Sequence, residues 1–182
     1  FGVNFNVYFL VYSGSLKEAL KCEEARVYLG IVGASILLIT INICSMFHSV
    51  KDALLHASFQ VASIITTTGF STIDFELWPE FSRTILVILM FVGACAGSTG
   101  GGIKVSRIAI LAKTIKKELS FIIHPRTVHK TRFEGKQVEH EVLRSINVFL
   151  ISYIAIFTLS LLIITLDNFD AITNFTAVAS TI

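Results

Sequence analysis

Two short stretches of this 182-residue chain carry chemistry in their backbone more than in reactive side chains. The first is Thr66-Thr67-Thr68-Gly69-Phe70, where three hydroxyl side chains lead into a glycine. A short extended run with glycine can aim successive carbonyl oxygens at one axis and replace the water shell of a dehydrated monovalent cation. Glycine suits such a run because it takes φ > 0 without penalty. The same pattern also makes an ordinary helix C-cap, so context has to decide between the two. The second stretch is Ala94-Cys95-Ala96-Gly97-Ser98-Thr99-Gly100-Gly101-Gly102, with four glycines in six residues. Each costs a helix about 1 kcal/mol relative to alanine, which predicts a break inside a segment otherwise helical to about Ile123. A phosphate-binding loop fails on register: the Walker pattern needs Gly-Lys-Ser/Thr, whereas Gly102 precedes Ile103 and Lys104 precedes Val105. Close helix packing through small residues is the other use of such a run.

The remaining reactive residues form no constellation. Cys22, Cys44 and Cys95 are odd in number, far apart and in no CxxC spacing, so neither a disulfide framework nor a zinc site is indicated. The five histidines are equally scattered and read as structural. No catalytic step is required of this chain: an intramembrane enzyme needs an acid, base or metal cluster within the apolar segments, and those segments carry no charge.

The elements that must position the two stretches are membrane helices. Hydrophobic residues make up 53% of the chain and charged residues only 15%, a composition too apolar for a soluble globular domain. About twenty apolar residues cross the hydrocarbon core as a helix. Charge-free windows of that length run over 27–50, 84–103 and 145–166. A fourth, 53–73, turns polar in its second half through Thr66 to Thr72. Ten of the fifteen Lys/Arg lie in residues 104–144, which places that segment in the cytoplasm. Residues 71–83 carry Asp74, Glu76 and Glu80 against Arg83 and read as external. Lys17, Lys21 and Arg26 put residues 14–26 inside as well, so an even number of crossings separates 14–26 from 104–144. The windows at 27–50 and 84–103 supply two. The 53–73 segment therefore enters and returns, as a half-membrane helix over 52–65 and a return strand over 66–71.

The pattern recurs. Asp52-Ala53 is followed after seven residues by Val61-Ala62-Ser63, and Asp170-Ala171 after six by Val178-Ala179-Ser180, each pair just after a charge-free helix. Between the units, apolar residues from Ile103 to Leu119 alternate at helical spacing with Lys113, Lys116 and Lys117, which predicts a helix emerging into the cytoplasm and ended by Pro125. Residues 126–141 read as a cytoplasmic hairpin or loop. Such a basic run anchors topology or meets anionic lipid. Lys104 is an ionisable group near membrane depth, either functional or snorkelling to the cytoplasm.

The run Phe59 to Thr72, containing Val61-Ala62-Ser63 and Thr66 to Phe70, followed by Gly97-Ser98-Thr99-Gly100-Gly101-Gly102-Ile103-Lys104-Val105, resembles the Trk/Ktr family of bacterial potassium uptake proteins. Phe5, Asn6 and Tyr8, and Glu24 and Arg26 before Tyr28-Leu29-Gly30, resemble the same family's approach to its third repeat. The resemblance implies an all-α membrane protein with four helix/pore-loop/helix repeats around one pore, of which this chain is a piece. Residues 1–26 are then the end of the preceding repeat and a connection. Residues 27–125 are the third repeat, with its first helix at 27–50, pore helix at 52–65, filter at 66–70 and second helix at 82–123 broken at 94–102. Residues 126–143 are a linker, and 144–182 an incomplete fourth repeat with a helix at 144–166 and a pore helix at 170–182.

The resemblance further implies a potassium filter of Thr66, Thr67, Thr68, Gly69 and Phe70, with the carbonyls of Thr67 and Thr68 as ion donors. It makes Gly97, Ser98, Thr99, Gly100, Gly101, Gly102 and Lys104 a gating loop beneath that filter. No bound cofactor is implied, potassium being the transported ion, and no nucleic acid. Full-length chains would form a homodimer in the lipid bilayer of the bacterial inner membrane. Their partner would be a cytosolic nucleotide-binding regulatory ring of the RCK/KTN type. Channel-like transport and coupling to H⁺ or Na⁺ both stay open. The competing class is a non-conducting membrane scaffold or receptor with a re-entrant loop.

Overall fold

The computed structural model describes residues 2–124 and 131–182. Its elements are helices joined by tight connections. Helix α1 (Phe5–Tyr12) is capped by Asn4, whose side-chain oxygen accepts from Asn6 N at 2.9 Å, and a single turn, α2 (Leu16–Ala19), follows. Helix α3 spans Glu23–Ile43 and runs on through a 3-10 turn, Cys44–Met46. Ser49 then caps α4 (Val50–Ile65) by accepting from Lys51 N at 3.2 Å.

The charge-free window placed the first long helix at 27–50, but it starts at Glu23 and ends at Ile43. The start is earlier because Glu23 and Glu24 suit the positive end of a helix dipole, so charges there do not mark the helix limit. The end is earlier because Phe47 is extended and Ser49 opens the next helix. Helix α4 likewise starts two residues before the expected position 52.

Helices α5 (Glu80–Val92) and α6 (Val105–Ile123) flank an irregular segment over 93–104. The window at 84–103 therefore does not hold one crossing helix. Thirteen residues of α5 rise only about 20 Å, short of the roughly 30 Å hydrocarbon core. The break is wider than 94–102 because Gly93 at one end and Lys104 at the other also take positive φ. Helix α6 stops at Ile123, and the stop expected at Pro125 lies outside the described residues.

A two-stranded hairpin follows, β1 (Arg132–Phe133) antiparallel to β2 (Lys136–Gln137), turning through Glu134 and Gly135. Helix α7 (His140–Ile164) begins four residues before the expected 144, again because the window rule stopped at Arg144 while Glu141 sits in the first turn. It closes in a 3-10 turn, Thr165–Asp167. Asp170 caps α8 (Ala171–Thr181), accepting from Thr173 N at 3.3 Å.

Among the described residues, Glu23–Met46 and His140–Asp167 are long and apolar enough to cross a membrane. Helix α4 packs between α3 and α5, and its small residues Ala53 and Ala57 with Val61 are fully buried against Ile39, Ile43 and Leu86. Buried Ser82 on α5 donates its hydroxyl to Asn42 Oδ1 on α3 at 2.7 Å, a polar tie between two apolar faces. Phe91, Phe157 and Phe175 pack ring to ring, with centroids 5.3 to 5.9 Å apart, and hold α5, α7 and α8 together.

Candidate functional site

Helix α4 aims its C-terminus into a turn, and the turn is built by hydrogen bonds running backwards. Thr66 N donates to Ala62 O at 3.1 Å, Thr67 N to Ile64 O at 3.0 Å, and Thr68 N to Ser63 O at 2.9 Å. The last two bonds form a Schellman motif, with Thr67 left-handed at φ +54. Gly69 N reaches the same Ser63 carbonyl at 3.4 Å and is itself at φ +82. The C-cap and the candidate filter are thus the same atoms. A return strand over 66–71 does not form, because N–H groups spent on α4 cannot join a ladder.

The backbone N–H groups of Thr66 to Gly69 are all used, while the carbonyls of the same four residues accept no hydrogen bond among the described residues. Phe70 O is held by the hydroxyl of buried Ser63. The Thr66 hydroxyl lies 2.7 Å from that of Thr68. An open cavity of about 400 Å³ lies beside the turn, lined by Phe59, Ala62, Ser63, Thr66, Thr68 and Phe70. His56 Nδ1 is 2.9 Å from Thr72 Oγ1 and its ring stacks on Phe47, so this histidine pins the returning chain to α4.

Thr67 is the unusual member. A β-branched residue with positive φ is strained by about 1–2 kcal/mol and needs a reason to stay there. Its Oγ1 accepts the N–H of Gly101 at 3.2 Å, so the turn and the glycine-rich segment meet directly. In that segment the chain doubles back on itself: Ile103 N donates to Phe91 O and Lys104 N to Val92 O, both at 3.1 Å. The crossing is glycine on glycine. A Cβ on Gly93 would overlap Gly101 O and come within 3.0 Å of Gly102 Cα, and one on Gly102 within 2.9 Å of Gly93 Cα. The structure also sets the N-terminal segment against this loop. Cys95 N donates to Gly2 O at 2.9 Å, Phe5 N donates to Gly97 O at 3.2 Å, and the Ser98 hydroxyl donates to Cys95 O at 2.6 Å. Thr99 is exposed and Gly100 buried against Ala94. Lys104 is the N-cap of α6, at φ +79, and forms no ion pair among the described residues.

Thr66 to Phe70 and Gly97 to Gly102 are therefore adjacent in space, joined through Thr67 and Gly101. Three participants carried no sequence signal for this place. Gly93 ends an apolar run and reads as helix interior. Asn4 carries no sequence reading at all, yet its side chain bounds Gly97. Glu24, 4% exposed, enters the sequence reading only beside Arg26 in the family resemblance, yet its Oε1 accepts Ala96 N at 2.6 Å and Ser106 N at 3.2 Å.

A second polar cluster lies at the foot of α3. Glu23 pairs with Lys113 of α6 and accepts Glu134 N at 3.1 Å, while Lys113 Nζ donates to Arg132 O at 2.8 Å and lies over the Phe133 ring. The Cys22 thiol donates to Glu134 Oε1 at 3.1 Å, and burial, with a smaller contribution from Glu134, raises its pKa above the ordinary thiol value. Among the described residues, no group of three or more His, Cys, Asp or Glu could hold a metal ion.

The TrkH family, described as cation transport protein, matches residues 29–182. The Trk system potassium uptake protein TrkH of Salmonella typhimurium is 33% identical over 186 residues, which is all of this chain and 38% of the relative. TrkG of Escherichia coli K12 is 30% identical over 98% of this chain and 37% of its own length. The crystal structure of the potassium transporter TrkH from Vibrio parahaemolyticus superposes with a TM-score of 0.91 at 32% identity, covering 99% of this chain and 40% of that one. The chain thus spans about two fifths of the length of these relatives and shares the fold of a helical membrane transporter with pore-loop units. By the family match and the superposition together, it belongs to the TrkH cation transport protein family.

Proposed function

We propose that this chain is part of a potassium uptake protein of the bacterial inner membrane, and that Thr66 to Phe70 form one quarter of its selectivity filter. One observation carries the reading. The turn after α4 spends the N–H groups of Thr66, Thr67, Thr68 and Gly69 on α4's last carbonyls and leaves their own four oxygens without a donor among the described residues. Unpaired carbonyls at membrane depth cost several kcal/mol each unless a cavity or a cation meets them. A monovalent cation taking Thr67 and Thr68 carbonyl oxygens in place of its water satisfies that requirement.

On this reading residues 27–125 are the third repeat and 144–182 the start of a fourth, whose filter glycine falls a few residues past Ile182 by the Val-Ala-Ser match. The segment from Gly97 to Gly102, with Lys104 at its end, lies on the cytoplasmic side of the filter and obstructs the pore until it withdraws. The hairpin at 132–137 and helix α6 face the cytoplasm, where a nucleotide-binding regulatory ring docks, and full-length chains pair as a homodimer. Potassium is cargo and no catalytic step is involved.

The test is Gly69→Ser and Gly69→Asp in the full-length protein, with potassium and sodium uptake measured side by side. A Cβ at Gly69 meets open space but sits at φ +82, so the substitution shifts the backbone that spaces the oxygens without a packing clash. Potassium preference falls in both variants. Unchanged preference in a well-expressed variant would return the segment to an ordinary helix cap and favour the scaffold reading.

A further inference from the structure

From the geometry around α3 we infer that Glu24 is the positioning residue that holds the glycine-rich loop shut: its one buried carboxylate oxygen clamps the loop's beginning and its end. The loop leaves α5 at Val92 and rejoins helix at Val105. Ala96 lies near the first foot and Ser106 is the second residue of α6, and the N–H groups of both converge on Glu24 Oε1 at 2.6 and 3.2 Å. The carboxylate is 4% exposed. A charge buried this far is tolerated where charge-assisted hydrogen bonds and a helix N-terminus answer it, and Glu24 has both.

The neighbouring carboxylate makes the clamp rigid. Glu23 pairs with Lys113 two turns further along α6 and accepts the hairpin's Glu134 N–H, so α6 is fastened to α3 at two heights. The loop between the feet has little helical preference and is held besides by backbone bonds, Phe5 N to Gly97 O, Ile103 N to Phe91 O and Lys104 N to Val92 O, and by Gly101 N to Thr67 Oγ1. Movement of α6 relative to α3 therefore strains the Glu24 bonds together with the Glu23–Lys113 pair, and of the two carboxylates it is Glu24 that also holds the loop, at Ala96. Breaking its two bonds detaches both feet from α3 and leaves the loop held by its backbone bonds and by Thr67, which lowers the cost of its leaving the turn above it.

The flux arm of the test rests on the gate reading given above; the labelling arm does not. Full-length protein in liposomes, with Cys95 as its single cysteine, is compared with Glu24→Gln and Glu24→Ala. Gln keeps a neutral acceptor and Ala removes it. Cys95 is fully buried between the feet, so its reaction rate with a small water-soluble thiol reagent reports release of the loop. Labelling rises about tenfold or more in Glu24→Ala and less in Glu24→Gln, as expected for the loss of two bonds to a charged acceptor. Rubidium influx without the regulatory partner rises with it, while the potassium-to-sodium ratio stays as in the parent. Faster labelling with unchanged influx upholds the clamp and overturns the gate reading. Unchanged labelling in a folded variant overturns the clamp. Should the Glu24 variants fail to fold, Ser106→Pro removes one donor within the first turn of α6, where proline is tolerated, and unchanged labelling there is equally fatal.

Discussion

Replacing Gly93 by alanine should dislodge the loop more strongly than any substitution at Gly69, although both glycines have positive φ. At Gly93 the backbone lies at φ +67, ψ −159, a region nearly closed to residues with a side chain, and occupying it costs about 1–3 kcal/mol. The added methyl also overlaps Gly101 O, so the returning chain has to move away from residues 91–93. That movement stretches the bonds from Ile103 N to Phe91 O and from Lys104 N to Val92 O, each worth about 1 kcal/mol net. Together the terms reach about 3–5 kcal/mol against the packed loop, more than a hundredfold in its population at about 1.4 kcal/mol per factor of ten. At Gly69 the same methyl meets nothing within 4 Å, leaving only the roughly 1–2 kcal/mol of left-handed backbone. Cys95 labelling and rubidium influx of the two full-length variants measure the difference. The reasoning fails if Gly93→Ala labels at the parent's rate, or if Gly69→Ala exposes Cys95 as much as Gly93→Ala does.

Ser63→Ala removes the hydroxyl that holds Phe70 O and leaves a part-buried carbonyl unpaired at a cost of about 1–3 kcal/mol; potassium preference should fall with surface expression unchanged, as read by competitive uptake. Glu134→Gln removes a carboxylate that holds the Cys22 thiol protonated. The thiol pKa should therefore move down toward its ordinary value and iodoacetamide should react faster at pH 8, whereas an unchanged rate-against-pH profile would show that burial acts alone. Glu76→Cys in full-length protein should react with an impermeant reagent from outside intact cells, and labelling from the cytoplasmic side only would overturn the re-entrant path of α4.

Much of the helical frame was legible because charge-free length is a strong signal. The windows found α3 and α7, and they misplaced the starts because they stopped at Arg26 and Arg144, whereas both helices run on past these charges to first turns that hold Glu23, Glu24 and Glu141, where a helix dipole welcomes acids. Four glycines in six residues announced the break after α5. The hinge itself, Gly93, stayed hidden because one glycine after Phe91-Val92 looks like helix interior. The threonine run was readable as a cap or as a filter, and the structure shows why the choice was hard: the run forms a Schellman cap, and that cap leaves the carbonyls of Thr66 to Gly69 open among the described residues, as a filter would require. Glu24 entered the sequence reading only as part of the family resemblance, and its contacts were beyond reach, since Ala96 and Ser106 arrive from far along the chain.

On the filter reading proposed above, the hydrogen-bond pattern of the turn also favours one sign of ion. With the N–H groups of Thr66 to Gly69 committed to α4, the backbone of these four residues offers a visitor carbonyl acceptors and no N–H, so chloride finds no amide of theirs to replace its water. Rejection of anions then needs no acidic side chain, and none occurs between Thr66 and Phe70. A barrier written in amide stoichiometry has no proton to gain or lose. Cation over anion preference should accordingly stay constant from acid to alkaline medium, where a ring of carboxylates would lose its hold as it protonates.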